Sequence, residues 1–320
     1  MADDGSSTVG AQTVGKRQEA SPYVFLVLMI LIGSSTAPSA KYIVRELPTG
    51  FVPLVRFGCA GLVLLPIVWR SPAFRRMLRR DLKRLLLTAA LCVPINQAFF
   101  LNGTKLAPTT HVALIYSSCP LIVLGLATLI GQERLAAGRL LGVLSSVAGL
   151  LVIAVGNVAG SATGRDVFLG DMFLVGAVVS WGAYLTAGKL LVARYGSLPV
   201  LAGTFFFGGL LDIPVALATV GSWGSFANVS PRAWIALAHL TVVVSIFGLF
   251  FQNQSLQKLD ASQVATFGNL APLLTIVWGG LLFGERLTPI LALGGGLIFL
   301  GLFGANRPTR HPAPISEASA

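Results

Sequence analysis

A guanidinium, a carboxylate and two groups of amides stand inside runs of otherwise oily sequence. Arg56 follows Pro53-Leu54-Val55, Asp212 lies in GGLLDIPVA at 208–216, and Asn96, Gln97 and Asn102 are answered further on by Gln252, Asn253 and Gln254. Neutral amides donate and accept hydrogen bonds at once, which suits zwitterions and other polar solutes without a fixed net charge. Direct solute contact and helix-to-helix hydrogen bonding are both open to them. A guanidinium in an apolar run must snorkel, meet backbone carbonyls or face a wet cavity. Arg56 fits either a cavity role or anchoring near the outer interface. A carboxylate at 212 can titrate and so couple proton movement to a conformational cycle. In the other reading its span ends earlier and Asp212 faces the outer headgroups.

A second group sits just before two matched prolines. Tyr116, Ser117 and Ser118 precede Pro120, and Phe267 and Asn269 precede Pro272. A proline inside a helix frees a carbonyl one turn earlier, here at Tyr116 and Gly268, and so offers polar backbone within the membrane. Lining of a solute path and a simple packing kink both fit. Pro94 makes irregular backbone plausible beside Asn96 and Gln97. Trp181 and Tyr184 suit an aromatic wall or interfacial anchors. Lys41 and Lys189 end matched spans, as anchors at opposite faces or as gate partners for carboxylates. His239 has no metal-ligand neighbour in sequence and reads as polar packing.

The elements holding these residues follow from composition. The chain has 320 residues, 54% hydrophobic and 11% charged, with a mean hydropathy of +0.79. Soluble domains are closer to a quarter charged, and weakly charged runs of 18 or more residues recur, long enough to cross a bilayer as helices. Ten candidates run over 22–41, 50–69, 85–103, 111–130, 138–156, 168–188, 199–219, 233–253, 263–283 and 289–305. The expected fold is therefore an all-α polytopic membrane protein with ten transmembrane helices. Residues 1–21 and 306–320 form polar tails, and the first twenty residues do not read as a signal peptide.

The net charge of +11 does not point to nucleic acid, because the basic residues lie in links and tails without aromatic interleaving. They read as topogenic charge. Arg70, Arg75, Arg76, Arg79, Arg80, Lys83 and Arg84 mark the link after the second candidate as cytoplasmic, with a basic amphipathic helix on the anionic surface within 74–84. Both termini then lie inside. Cys59, Cys92 and Cys119 offer neither a disulfide framework nor metal-ligand spacing. The absence of GxxxxGK[ST] argues against direct ATP driving, and no metal, cofactor or catalytic constellation is visible.

GQERL at 131–135 returns as GERL at 284–287. A shift of 152 carries Glu133 to Glu285, Pro120 to Pro272, Ser117 to Asn269, Gly142 to Gly294 and Gly149 to Gly301. The two halves, 22–156 and 168–305, flank a linker at 157–167. Each holds five candidates. Five is odd, so the halves enter the membrane with opposite orientation, an arrangement that permits alternating access around a site between them. Gly142, Gly149, Gly294 and Gly301 are small residues at a seven-residue spacing, which lets backbones approach closely. The glutamates read as helix-start punctuation, capping the incoming helix.

The segments KYIVRELPTGFVPLVRF (41–57), ALIYSSCPLIVLGLATLIGQERL (113–135), QVATFGNLAPLLTIVWGGLLFGERLTP (263–289) and LGGGLIFLGLFG (293–304) resemble the EamA-like transporters of the drug/metabolite transporter superfamily. The resemblance implies two inverted five-helix repeats and a secondary carrier of the bacterial inner membrane, often an exporter of amino acids or other metabolites. It also implies a cavity lined by the first, third, fourth, sixth, eighth and ninth spans, and a helix-pairing or homodimer surface on the fifth and tenth. Substrate does not transfer with the fold. The expected function is alternating-access transport of a small polar metabolite, outward, by proton exchange or uniport. A sugar-phosphate or nucleotide-sugar carrier, which would want several cavity cations, a channel and a membrane receptor remain alternatives.

Overall fold

Every regular element described is helical. The computed structural model describes residues 21–107, 109–157, 165–220, 226, 228–271, 274 and 289–305. The first candidate span divides at Ser34 and Ser35 into α1 (Pro22–Gly33) and α2 (Thr36–Ile43). Both hydroxyls donate to carbonyls one turn back, Leu31 at 2.8 Å and Ile32 at 2.7 Å, the local bonding by which serine competes with helix propagation. α3 (Phe51–Trp69) follows unbroken. The basic link forms α4 (Pro72–Arg80), which buries Phe74 and Met77 in the bundle while its arginines stay exposed. The amphipathic helix thus starts earlier than the expected 74–84 and stops at Asp81.

α5 (Leu82–Ala90) runs through a π-helical turn at Leu91–Ile95 into α6 (Asn96–Leu106). Pro94 lies in that turn. Proline has no N–H and crowds the carbonyl four residues back, and the wider π turn lets the rod continue past it. The fourth candidate is two helices, α7 (Thr109–Tyr116) and α8 (Cys119–Leu129). Pro120 falls in the first turn of α8, where its missing N–H costs nothing. The expected kink within a continuous span is therefore a break at Ser117–Ser118, with the proline starting the next helix.

α9 (Ala137–Asn157) closes the first half, and α10 (Arg165–Tyr195) opens the second, extending well beyond 168–188. Gly196 alone joins α10 to α11 (Ser197–Thr219), at φ 86°, a conformation that glycine adopts without steric penalty. α12 (Pro231–His239) passes through a second π segment, Leu240–Gly248, into α13 (Leu249–Leu256). α14 (Ala261–Gly268) begins with a capping box in which Asp260 and Gln263 each satisfy the other's backbone. The last helix is α15 (Pro289–Ala305). Pro272 and the GERLTP stretch with Glu285 lie outside the described residues.

Helices pair closely where side chains vanish. α3 lies antiparallel on α11, so near that a Cβ on Gly61 would meet the Phe206 backbone at 2.6 Å and one on Gly209 the Gly58 Cα at 2.8 Å. α9 and α15 pair the same way: a Cβ on Gly149 would meet the Gly294 carbonyl at 2.4 Å, and one on Gly301 the Gly142 carbonyl at 2.6 Å. All four packing glycines named from the sequence are thus used within one chain. α1 packs on α13, α6 on α10 and α8 on α14. Five described helices, Phe51–Trp69, Leu82–Leu106, Arg165–Tyr195, Ser197–Thr219 and Pro231–Leu256, are long and apolar enough to cross a membrane.

Candidate functional site

α3 carries one charge into the bundle interior. Arg56 is 4% exposed; its Nε donates to Ser245 Oγ at 2.7 Å and its Nη1 to Gln97 Oε1 at 3.4 Å. The guanidinium carbon stands 4.7 Å from the centre of the Phe57 ring, close enough for a cation–π contact. Gln97 Nε2 in turn donates to Asn96 Oδ1 at 2.8 Å, and Asn96 Nδ2 reaches the Ala177 carbonyl at 2.8 Å and Ser180 Oγ at 3.3 Å. Beside it on α7 the Tyr116 ring stands edge-on to Phe100 at 5.8 Å. One polar chain therefore crosses from the second π segment through α3 and α6 to α10, with α7 beside it. The π turn at 91–95 sets the rotation at which Asn96 and Gln97 leave their helix.

The remaining sequence-named residues divide around this chain. Trp181 and Tyr184 pack ring to ring at 4.9 Å on α10. Gln252 and Asn253 are buried on α13, and Gln252 Nε2 has no hydrogen-bond partner among the described residues. Asn269 Nδ2 reaches the Ser117 carbonyl at 3.4 Å and Ser146 Oγ at 3.1 Å, while Phe267 packs against the Tyr23 ring at 5.8 Å. Two amides do not join. Gln254 accepts from Ser197 Oγ at 3.0 Å, and Asn102 accepts from Thr49 Oγ1 at 3.4 Å.

Asp212 lies in α11 with two further helical turns after it, so the helix does not end before it. It is 1% exposed. His239 Nε2 lies 2.9 Å from Ser35 Oγ, a packing contact, and no cluster of metal-ligating side chains occurs among the described residues.

The model of the EamA-like transporter family matches residues 20–155 and 168–307, one copy over each half. The chain belongs to the EamA-like transporter family. It is 26% identical over 292 residues to the uncharacterized transporter YyaM of Bacillus subtilis, covering 91% of this chain and 95% of that one. It is 24% identical over 229 residues to a probable amino-acid metabolite efflux pump of Salmonella typhimurium, covering 68% of this chain and 75% of that one. A solved crystal structure, 20% identical, superposes with a TM-score of 0.72 over 89% of this chain and 96% of its own, which shows the shared fold. The protein is accordingly a multi-pass membrane transporter and not an enzyme.

The transporter also holds a charged network, of which sequence reading had named Lys189 as an anchor or gate partner and Glu133 as a cap. At the end of the bundle carrying the basic 70–84 link, Asp260 Oδ1 takes Lys189 Nζ at 2.6 Å and its Oδ2 takes Arg139 Nη2 at 2.9 Å. Burial works against that charge, yet Lys189 and Arg139 hold the Asp260 carboxyl below its ordinary range. Arg139 Nη1 also bonds Glu133 Oε2 at 3.2 Å, and Glu133 accepts from the Ser262 amide at 3.1 Å and from its hydroxyl. Lys189 is thus a partner for a carboxylate, not a lone anchor. Glu133 caps the start of α14, across the bundle, instead of its own following helix. Nearby, the Tyr195 hydroxyl and, against burial, Arg194 and Arg84 depress the Asp81 carboxyl. Sequence reading also missed Ser245 and Ser180, single hydroxyls in apolar runs. Their only signal was polarity inside a buried stretch.

Proposed function

We propose that this chain moves a small polar metabolite bearing a carboxylate, an amino acid or related zwitterion, outward across the bacterial inner membrane by alternating access. The observation carrying the substrate class is Arg56. It is a buried guanidinium joined to neutral side chains, with no ion-pair partner among the described residues. An uncompensated charge in apolar surroundings is costly, and a substrate carboxylate would supply the counter-ion. The amides Asn96, Gln97, Gln252 and Asn253 offer carbonyl oxygens for an ammonium and amide protons for other polar groups. The Salmonella relative's name agrees with this class of cargo.

The inverted repeat is supported by contacts between residues that the repeat makes equivalent. Asn269 meets Ser117, and Ser145 Oγ meets the Leu297 carbonyl at 3.0 Å, both 152 residues apart. The close approach of Gly149 to Gly294 is mirrored by that of Gly301 to Gly142. Each exchanges into the other under the same shift, as a two-fold relation requires. The charged network then acts as a closure at the cytoplasmic end, released when the site opens inward. Among the described residues, the several cavity cations that a sugar-phosphate carrier would use do not accompany Arg56.

The test is counterflow in liposomes holding the purified chain, with radiolabelled amino acids, polyols and sugar phosphates. Saturable exchange of an amino acid that weakens in Arg56→Ala is expected. No flux from any of these pools by folded protein would sink the reading.

A further inference from the structure

Asp212 is buried with neither carboxyl oxygen hydrogen-bonded. It borders a cavity of about 20 Å³ between the start of α3 and the end of α11, shared with Thr49, Gly50, Asn102 and Thr219. That volume admits about one water molecule. The cage is rich in acceptors and poor in donors. The Thr49 hydroxyl proton is directed to Asn102 Oδ1 at 3.4 Å, Asn102 Nδ2 is directed to the Ala98 carbonyl at 2.8 Å, and the Thr219 hydroxyl donates to the Val215 carbonyl at 2.8 Å. Of these groups only the second N–H of the Asn102 amide has no acceptor named for it.

Apart from Asp212 itself, no charged side chain among the described residues lines this cavity. Among the elements packed on α11, α3 brings Arg56, whose Nε and Nη1 are directed to Ser245 and Gln97. The basic residues of α4 and α5, and Lys189 and Arg194 of α10, lie toward the other end of α11, with Asp81 and Asp260. A bare carboxylate here has no counter-ion, and burying one is costly. A carboxylic acid instead gains a donor that the surrounding oxygens can accept.

We propose that Asp212 is the proton-binding site of this transporter, occupied in the closed arrangement described here and emptied when water enters between the start of α3 and the end of α11. The proton adds to a carboxylate oxygen and returns to water, with no other bond made or broken. α3 then links the two sites. Pro53, on the cavity wall, and Arg56, in the polar chain, are less than one turn apart on the same helix. Separation of α3 from α11 to hydrate Asp212 would move Arg56, so proton release and substrate binding use one moving part.

The proposal rests on the transport reading for its meaning, but its test does not need a substrate. Infrared difference spectra of the chain in lipid nanodiscs, recorded between acid and alkaline pH, should show a protonated carboxyl C=O band that is lost in Asp212→Asn. Thr219→Val, which keeps the acid and removes one acceptor, should shift the band and retain it. A band unchanged in Asp212→Asn would overturn the proposal. So would radiolabelled sodium binding that Asp212→Asn abolishes with no such band in the wild type, since the site would then be a sodium site. Failure of amino-acid counterflow with the band present would remove the transport reading and leave the proton site standing.

Discussion

Lys189 Nζ stands 2.6 Å from Asp260 Oδ1, while Arg139 holds the other oxygen of the same carboxylate at 2.9 Å. Three helices or their ends, α9, α10 and α14, thus meet on one side chain, and Glu133 ties in a fourth. Removing one partner of a buried pair leaves a charge uncompensated, at a cost of about 3–5 kcal/mol. Arg139→Met should therefore lower the melting temperature. It should also speed maleimide labelling of Val264→Cys, two residues beyond Ser262 and buried in α14, in a background without the native cysteines. Unchanged labelling with normal folding would mean that the network is structural and not a closure.

The same end of the bundle should loosen in acid. Asp260 and Asp81 both have carboxyls held below the ordinary range, by Lys189 with Arg139 and by Tyr195 with Arg194 respectively. A depressed native value means that stability is present above the unfolded value, roughly pH 4, and is lost as pH falls through the native values. Melting curves between neutral pH and pH 3 should show this decline. In Asp260→Asn with Asp81→Asn the acid slope should be shallower, and an equal slope would assign it to other groups.

Much of this arrangement was legible before any coordinates. The 152-residue shift named Ser117 and Asn269 together, and they touch; it also aligned glycines that turn out to face one another. Pro94 announced irregular backbone, and a π turn is there. The second π segment, at 240–248, holds no proline and gave no such warning. Its consequence, the aim of Ser245 at Arg56, was therefore invisible. Lys189 was named as an anchor or gate partner and Glu133 as a cap, but their pairing with Asp260 and Arg139 was hidden for a different reason. They lie at span ends and in links read one at a time, and their pairing depends on which helix ends share a face of the membrane. Asp212 was ambiguous because hydropathy does not locate a helix end within two turns.

Arg56 offers a graded test of the polar chain. A hydrogen bond to a charged group contributes about 1.5–3 kcal/mol, so Ser245→Ala, which removes the 2.7 Å partner, should weaken substrate affinity in counterflow by roughly tenfold or more. Arg56→Lys keeps charge but not the planar fork, and should fall between Ser245→Ala and Arg56→Ala. Equal affinity in all three variants would place the substrate elsewhere.

Gly149 and Gly301 separate packing within the chain from pairing between chains. Alanine at either position would bring a Cβ to about 2.5 Å from backbone of the facing helix, whereas Gly125 has nothing within 4 Å. Overpacking of this kind costs about 1–3 kcal/mol. Gly149→Ala and Gly301→Ala should lower the melting temperature with unchanged molecular mass in detergent, and Gly125→Ala should do neither. A change of mass without loss of stability would instead assign the glycines to a dimer interface.

Gln252 is where stability and function should part. Its Nε2 is buried without a partner among the described residues, and an unsatisfied buried donor costs about 1–3 kcal/mol. Gln252→Met fills a similar volume without that donor, so the variant should melt higher than the wild type. If the donor is held ready for a solute, the same change should reduce counterflow, the usual exchange of activity for stability at a binding site. A variant that is more stable and fully active would remove Gln252 from the site. A variant that is less stable would show that the amide is needed for the fold.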